Sequence, residues 1–165
     1  KYKFTLQLDL AKMQKELGDE YIILLRTHYF IADVLDLSEY EGFAYNLSKY
    51  DDIARLYLIS DVLITDYSSV FFDYANLRRP MLFFTYDLEK YRSVLRGFYI
   101  DVEEELPGPM LMTTDEVIGA LQNIEKVVTE YSDKYTAFCD KYCAWEDGTA
   151  AKKVVETVFS DKSNK

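Results

Sequence analysis

Cysteine and histidine are nearly missing from this chain of 165 residues, with Cys139 and Cys143 its cysteines and His28 its sole histidine. A disulfide scaffold and a Cys/His metal site are therefore excluded, since a four-ligand site would need a second pair. Set four apart on a predicted helix, the two cysteines read as small buried or half-buried hydrophobes. No apolar run approaches the roughly 20 residues that span a bilayer, and no basic-then-apolar leader opens the chain, so it is expected to be soluble and intracellular. Positive charge is in deficit: 19 basic against 29 acidic residues give a formal charge of −10. That balance argues against nucleic acid as a partner and against adsorption on an anionic membrane. Any phosphate must be held by near neighbours, where dipoles and hydrogen bonds outweigh screened repulsion. A Gly-rich dinucleotide loop, a Walker lysine loop and a serine-hydrolase elbow are also absent, which removes nicotinamide oxidoreductases, P-loop hydrolases and elbow-type hydrolases. No internal repeat and no low-complexity segment occurs.

What is present is enough apolar material, 49% of residues, for one core. Leu6, Leu8, Leu10, Met13 and Leu17 predict a first helix that stops at Gly18. Tyr21–Leu25 then forms a continuous apolar run of the kind found in strands buried on both faces, and the same character returns in Val62–Ile64 and Met81–Phe84. Between these lie helical patterns over Asp52–Ile59 and Ser69–Leu77. Strand alternating with helix predicts an α/β fold with a parallel sheet and right-handed crossovers, helices covering both faces. Pro80 fits a strand entrance, and Arg78-Arg79 fits a helix C-terminus. After Thr85 the texture predicts a long irregular excursion through Pro107-Gly108-Pro109. Further helices are predicted from Thr114 to Glu125, over Tyr131–Tyr142 and over Ala150–Phe159, before a frayed tail at 160–165.

Ligands of open parallel sheets gather beyond the carboxyl ends of the strands, which directs the search to two places. One is Arg26-Thr27-His28, a permanent cation and a titratable imidazole at one strand mouth, suited to charge neutralisation and proton transfer at a phosphate. Alternatively, Arg26 pairs with a surface carboxylate and His28 caps a loop. The other is Asp66–Asp73, where a strand turns into a helix whose first N–H groups lack intrahelical partners. Ser68 and Ser69 are small enough to admit a phosphate and carry hydroxyl donors, or else they merely cap the helix. Asp73, four residues beyond Ser69, shares its face and would accept from a polyol or ribose hydroxyl rather than meet phosphate. Asp66 is a candidate acceptor for the turn's own N–H groups. Asp51-Asp52 is explained by N-capping without a metal, and Tyr67, Tyr86 and Tyr91 are candidate ligand walls.

The ordered set Arg26-Thr27-His28, Ser60–Ser69 with Asp73-Tyr74, Tyr86-Asp87, Tyr91, Arg96-Gly97, Pro107-Gly108-Pro109 and Asp147-Gly148 resembles the CDP-glycerol glycerophosphotransferases, the teichoic-acid poly(glycerol phosphate) polymerases and primases. The likeness runs from about Tyr21 to Phe159. It implies a Rossmann-like domain resembling the C-terminal, nucleotide-binding half of a glycosyltransferase-B fold. On that reading residues 1–159 are one CDP-glycerol-binding domain, a fragment of a larger enzyme. The resemblance further implies that Arg26, Thr27, His28, Ser68, Ser69 and Asp73 bind the substrate and that His28 is catalytic. A second catalytic histidine would belong to the absent upstream half, leaving the isolated chain inactive. No metal or cofactor is implied. The implied partners are CDP-glycerol and, through the missing half, a polyprenyl-linked or poly(glycerol phosphate) acceptor, with cytoplasmic placement at the inner face of the membrane through parts outside this chain. CDP-ribitol or another CDP-polyol as donor, and a non-catalytic nucleotide-binding module, are the alternatives. One departure stands out: relatives commonly carry an arginine after the Asp-Gly-x-Ala element, where this chain has Lys152 and Lys153, which keep the charge but lose the planar fork.

Overall fold

The structure is a computed structural model that describes residues 6–27, 36–88 and 100–159. The first helix, α1, covers Leu10–Leu17 rather than beginning near Leu6. Asp9 sets its start, accepting from the Lys12 N–H at 3.0 Å, while Leu6 and Leu8 precede the cap and pack on the core instead. Strand β1, Ile23–Leu25, comes next and pairs in parallel with β2, Ala44–Asn46; a 3₁₀ turn at Ser38–Tyr40 lies between them in sequence. Helix α2, Ile53–Ile59, is capped by Asp52, whose carboxylate accepts from the N–H groups of Ala54 and Arg55 at 3.0 and 3.4 Å. Capping thus accounts for Asp52 of the aspartate pair.

Strand β3, Leu63–Thr65, leads through a tight turn into α3, Val70–Ala75, and on to β4, Met81–Phe84. Pro80 does stand at the strand entrance, its carbonyl taking the Leu63 N–H at 3.0 Å. The stretch read as irregular contains two further elements, α4 at Val102–Glu105 and β5 at Met110–Leu111, the latter parallel to β4. Helix α5, Thr114–Gln122, is closed by a capping box between Thr113 and Glu116, one residue earlier than the sequence suggested. It ends at Asn123 instead of Glu125. From there α6, Ile124–Tyr142, runs unbroken through the segment predicted to be helical only from Tyr131. The last helix, α7, spans Ala150–Phe159 as expected. Residues 160–165 lie outside the described residues.

Among the described residues all strand pairs are parallel, but they form two small sheets, β1–β2 and β3–β4–β5, not one. Strand β4 is buried along its whole length and divides the core by alternation. Leu82 and Phe84 join Leu10, Met13 and Leu17 of α1 and Val117, Ile118 and Leu121 of α5. Met81 and Phe83 join Phe71 and Tyr74 of α3, Val102 of α4 and Phe138 and Cys139 of α6. Helices therefore cover both faces, and the α/β, Rossmann-like reading stands. Cys139 is buried and Cys143 half-buried, as small hydrophobes would be.

Candidate functional site

At the mouth of β1, the Arg26 guanidinium donates through Nη1 to the Tyr50 carbonyl, so among the described residues it is held by backbone and not by a surface carboxylate. Thr27 is tied to the loop after β2. Its N–H donates to Ser48 Oγ at 3.0 Å, the two hydroxyls lie 2.9 Å apart, and Ser48 is itself oriented by Asn46 Oδ1. A cation and two hydroxyls are thus presented together. His28, the proposed catalytic residue, lies outside the described residues, as do Tyr91, Arg96 and Gly97.

The β3–α3 junction is built by Asp66, whose Oδ1 accepts the Ser68 N–H at 2.9 Å. Asp66 is therefore the structural acceptor of the turn, and the Ser68 amide is already engaged. Ser69 occupies the N-cap position of α3 with no side-chain capping bond, so capping does not account for its hydroxyl. Both serines are exposed. With α3 only six residues long, fewer than two turns, hydroxyls matter more at this mouth than the helix dipole. Asp73 lies one turn further along α3, exposed on its first turn.

A residue that sequence reasoning passed over links the two mouths. Tyr57 on α2 carries a buried hydroxyl without a hydrogen-bond partner among the described residues. Burial pushes its acidity down, so its pKa rises; the Asp73 carboxylate adds to that rise and the Arg26 guanidinium opposes it. Charges from both candidate segments consequently act on one orphan hydroxyl. Only the helical period of Ile53–Ile59 could have hinted at this, and that period says nothing about which partner a tyrosine meets.

The neighbouring tyrosines divide. Tyr67 donates its hydroxyl to Asp87 Oδ1 at 3.1 Å, and burial followed by that carboxylate pushes its pKa well above the ordinary range. The Tyr67 hydroxyl is thereby held protonated and braced on Asp87. Tyr86 is exposed and packs at a tilt against Phe84, with ring centroids 5.3 Å apart. Arg79, read as facing its own helix end, instead donates to the carbonyls of Leu58 and Ser60 at 2.9 and 2.6 Å, closing the C-terminus of α2. Further along, Asp147 Oδ2 binds Lys153 Nζ at 2.7 Å, and the same ammonium lies 5.1 Å from the Trp145 ring centroid. Lys152 sits 3.8 Å from Glu156. Among the described residues no three Cys, His, Asp or Glu side chains converge as metal ligands, and no helix is long and apolar enough to cross a membrane.

Residues 1–160 match the model of the family described as CDP-Glycerol:Poly(glycerophosphate) glycerophosphotransferase. The chain belongs to that family. It is 54% identical over 159 residues to the teichoic acid poly(glycerol phosphate) polymerase of Bacillus subtilis strain 168, covering 96% of this chain and 21% of that protein. It is 39% identical over 153 residues to the teichoic acid poly(ribitol-phosphate) polymerase of Bacillus spizizenii strain W23, covering 92% and 24%. Among solved structures it is similar to the wall teichoic acid polymerase TagF, with a TM-score of 0.87 and 48% identity over 97% of this chain and 39% of that one. A variant of TagF soaked with CDPG superposes with a TM-score of 0.86. The glycerophosphotransferase fold seen here thus spans between about a fifth and two fifths of these relatives.

Proposed function

We propose that this chain is the donor-nucleotide-binding domain of a CDP-glycerol glycerophosphotransferase, residues 1–159 forming one domain of a larger enzyme. The observation that carries the reading is the family match along essentially the whole chain, over a parallel α/β fold whose strand mouths offer a cation and several hydroxyls. Arg26 neutralises diphosphate charge, with Thr27 beside it. The Ser68 and Ser69 hydroxyls donate to phosphate oxygens. Asp73 accepts from a hydroxyl of the ligand, where a carboxylate is useful rather than repulsive.

In the complete enzyme an acceptor hydroxyl attacks the β-phosphorus of CDP-glycerol. A new P–O bond forms to the acceptor, the bond to the bridging oxygen breaks, and CMP leaves with the electron pair. His28 stabilises the transferring phosphoryl group or assists the leaving group, and a histidine of the upstream half serves as base. The acceptor is a polyprenyl-linked or poly(glycerol phosphate) chain, reached from the cytoplasmic face of the membrane through parts outside these residues. Glycerol as the donor's polyol is favoured over ribitol by the higher identity to the glycerol-phosphate polymerase.

Calorimetry of CDP-glycerol and CDP-ribitol binding, with CMP release from the full-length enzyme, tests this. Ser68→Ala and Ser69→Ala should each weaken CDP-glycerol by roughly tenfold, about one charge-assisted hydrogen bond. His28→Ala should cut turnover by about two powers of ten or more with a smaller effect on affinity. Unchanged affinity in both serine variants refutes the phosphate role, and tighter CDP-ribitol binding overturns the choice of donor.

A further inference from the structure

The loop that follows β2 is fastened to the mouth of β1 at several points. Leu47 donates its N–H to the Leu25 carbonyl at 2.8 Å, and Tyr50 folds back onto the Leu47 carbonyl at 3.0 Å. Asn46 Oδ1 takes the Ser48 N–H at 3.1 Å. The Tyr50 carbonyl in turn accepts from Arg26. Residues 46–50 therefore have little freedom of their own, and a side chain that they hold is held in a set direction. Thr27 is such a side chain, and it is the Ser48 hydroxyl of this loop that reaches it.

Two contacts from Thr27 end on one atom. Its N–H donates to Ser48 Oγ at 3.0 Å, and its own hydroxyl lies 2.9 Å from the same oxygen. Together they fix the rotamer of a β-branched side chain that has few to choose from. They also fix the proton count. Each hydroxyl has one proton to donate and two lone pairs to offer. One lone pair of Ser48 Oγ takes the Thr27 amide proton, and the bond between the hydroxyls takes one hydroxyl proton. Whichever way that bond runs, the second hydroxyl proton is left to point elsewhere. Among the described residues no acceptor meets it, and both side chains are half-buried. What completes the pair is therefore an acceptor from outside. Arg26, fastened to the same loop, sets a permanent positive charge at this mouth, which favours an anionic oxygen over a neutral one. With an anion in place the prevailing order has Ser48 donating to Thr27 and Thr27 donating outward, because each bond of such a row polarises the next.

We infer that Ser48 is a positioning residue for the donor diphosphate: its hydroxyl turns Thr27 into an oriented hydrogen-bond donor to a phosphate oxygen, without touching the ligand itself. The inference rests on the reading of the β1 mouth as a diphosphate site. To that reading it adds a residue in the loop after β2 and the direction of the Thr27 proton. The other mouth works differently, since there Asp66 ties the turn through the Ser68 amide and leaves the serine hydroxyls exposed.

A double-mutant cycle in the full-length enzyme tests it, with calorimetry of CDP-glycerol as the readout. Thr27→Val removes the hydroxyl but keeps the amide that donates to Ser48, so the loop stays fastened. Thr27→Val and Ser48→Ala should each weaken CDP-glycerol by about tenfold, the loss of one oriented bond to a charged acceptor. In the Thr27→Val background, Ser48→Ala should cost no more than about a further twofold. If the two losses multiply instead, Ser48 only fastens the loop and the inference is overturned. A Ser48→Ala protein whose urea midpoint falls while its affinity stays unchanged overturns it as well. CDP-ribitol should lose affinity by the same factor as CDP-glycerol; a loss confined to one donor puts the Thr27 hydroxyl on the polyol and overturns the phosphate assignment. Unchanged binding in Thr27→Val alone removes the diphosphate reading of this mouth and Ser48 with it. Weakened binding there, followed by losses that multiply, removes the role of Ser48 alone, so the two readings fail separately.

Discussion

Gly108→Ala probes the packing of the sheet that carries the β3 mouth. A Cβ built on Gly108 falls 2.0 Å from the Met81 carbonyl oxygen, 3.0 Å from its carbon and 3.3 Å from Phe83 Cε2. The obstacle is backbone, so no rotamer change relieves it. Ordinary contact begins near 3.4 Å, and about 1.4 Å must open between β4 and the Pro107–Pro109 segment. The Phe83 N–H to Pro109 carbonyl bond, 2.9 Å long, cannot stretch that far and persist, and the Thr85 to Leu111 bond at 2.8 Å is next in line. Overpacking together with one or two lost ladder bonds amounts to about 2–4 kcal/mol. Urea unfolding of the full-length protein should show a lower midpoint with an unchanged slope, and exchange at Phe83 and Thr85 should quicken first. A loss below about 0.5 kcal/mol would refute the close-approach argument, as would equal stability of Gly108→Ser.

Arg79→Met should remove the cation that closes the carbonyl end of α2 and cost about 2 kcal/mol in denaturant unfolding, with Arg79→Lys partly restoring it. Tyr74 is fully buried, donates to the Ser60 carbonyl at 2.8 Å, and is pushed by burial up to about 12. Its folded value is raised, so its contribution is complete below the ordinary tyrosine value near 10 and is lost as pH rises from there through about 12. Tyr74→Phe should therefore lose roughly 1 kcal/mol at neutral pH yet flatten the alkaline limb of a stability profile. Lys153, with Thr149, holds the Asp147 carboxyl well below the ordinary aspartate value. A depressed folded value stabilises above the ordinary range and fades as pH falls through it and below. Lys153→Met should move the Asp147 carboxyl titration, followed by carbon NMR, upward; an unmoved titration would show that the pair does not form.

The family, the parallel α/β class and the two candidate mouths were legible in the residues, because buried strands and helix starts leave local marks. Val62–Ile64 and Met81–Phe84 are apolar on both faces, and Asp52 and Asp66 fix the helix and the turn just after them through contacts two or three residues away. Short-range chemistry of this kind is written in order along the chain. Strands β2 and β5 were not legible. Ala44-Tyr45-Asn46 has no apolar run and Met110-Leu111 is two residues behind a Pro-Gly-Pro turn, so each is a strand only because a neighbour's edge lies beside it. The same holds for Arg79 reaching the end of α2, for the buried Tyr57 hydroxyl without a partner among the described residues, and for the cavity lined by residues of both β1 and β3. Each of these depends on which segments meet in space, and local sequence carries no record of that.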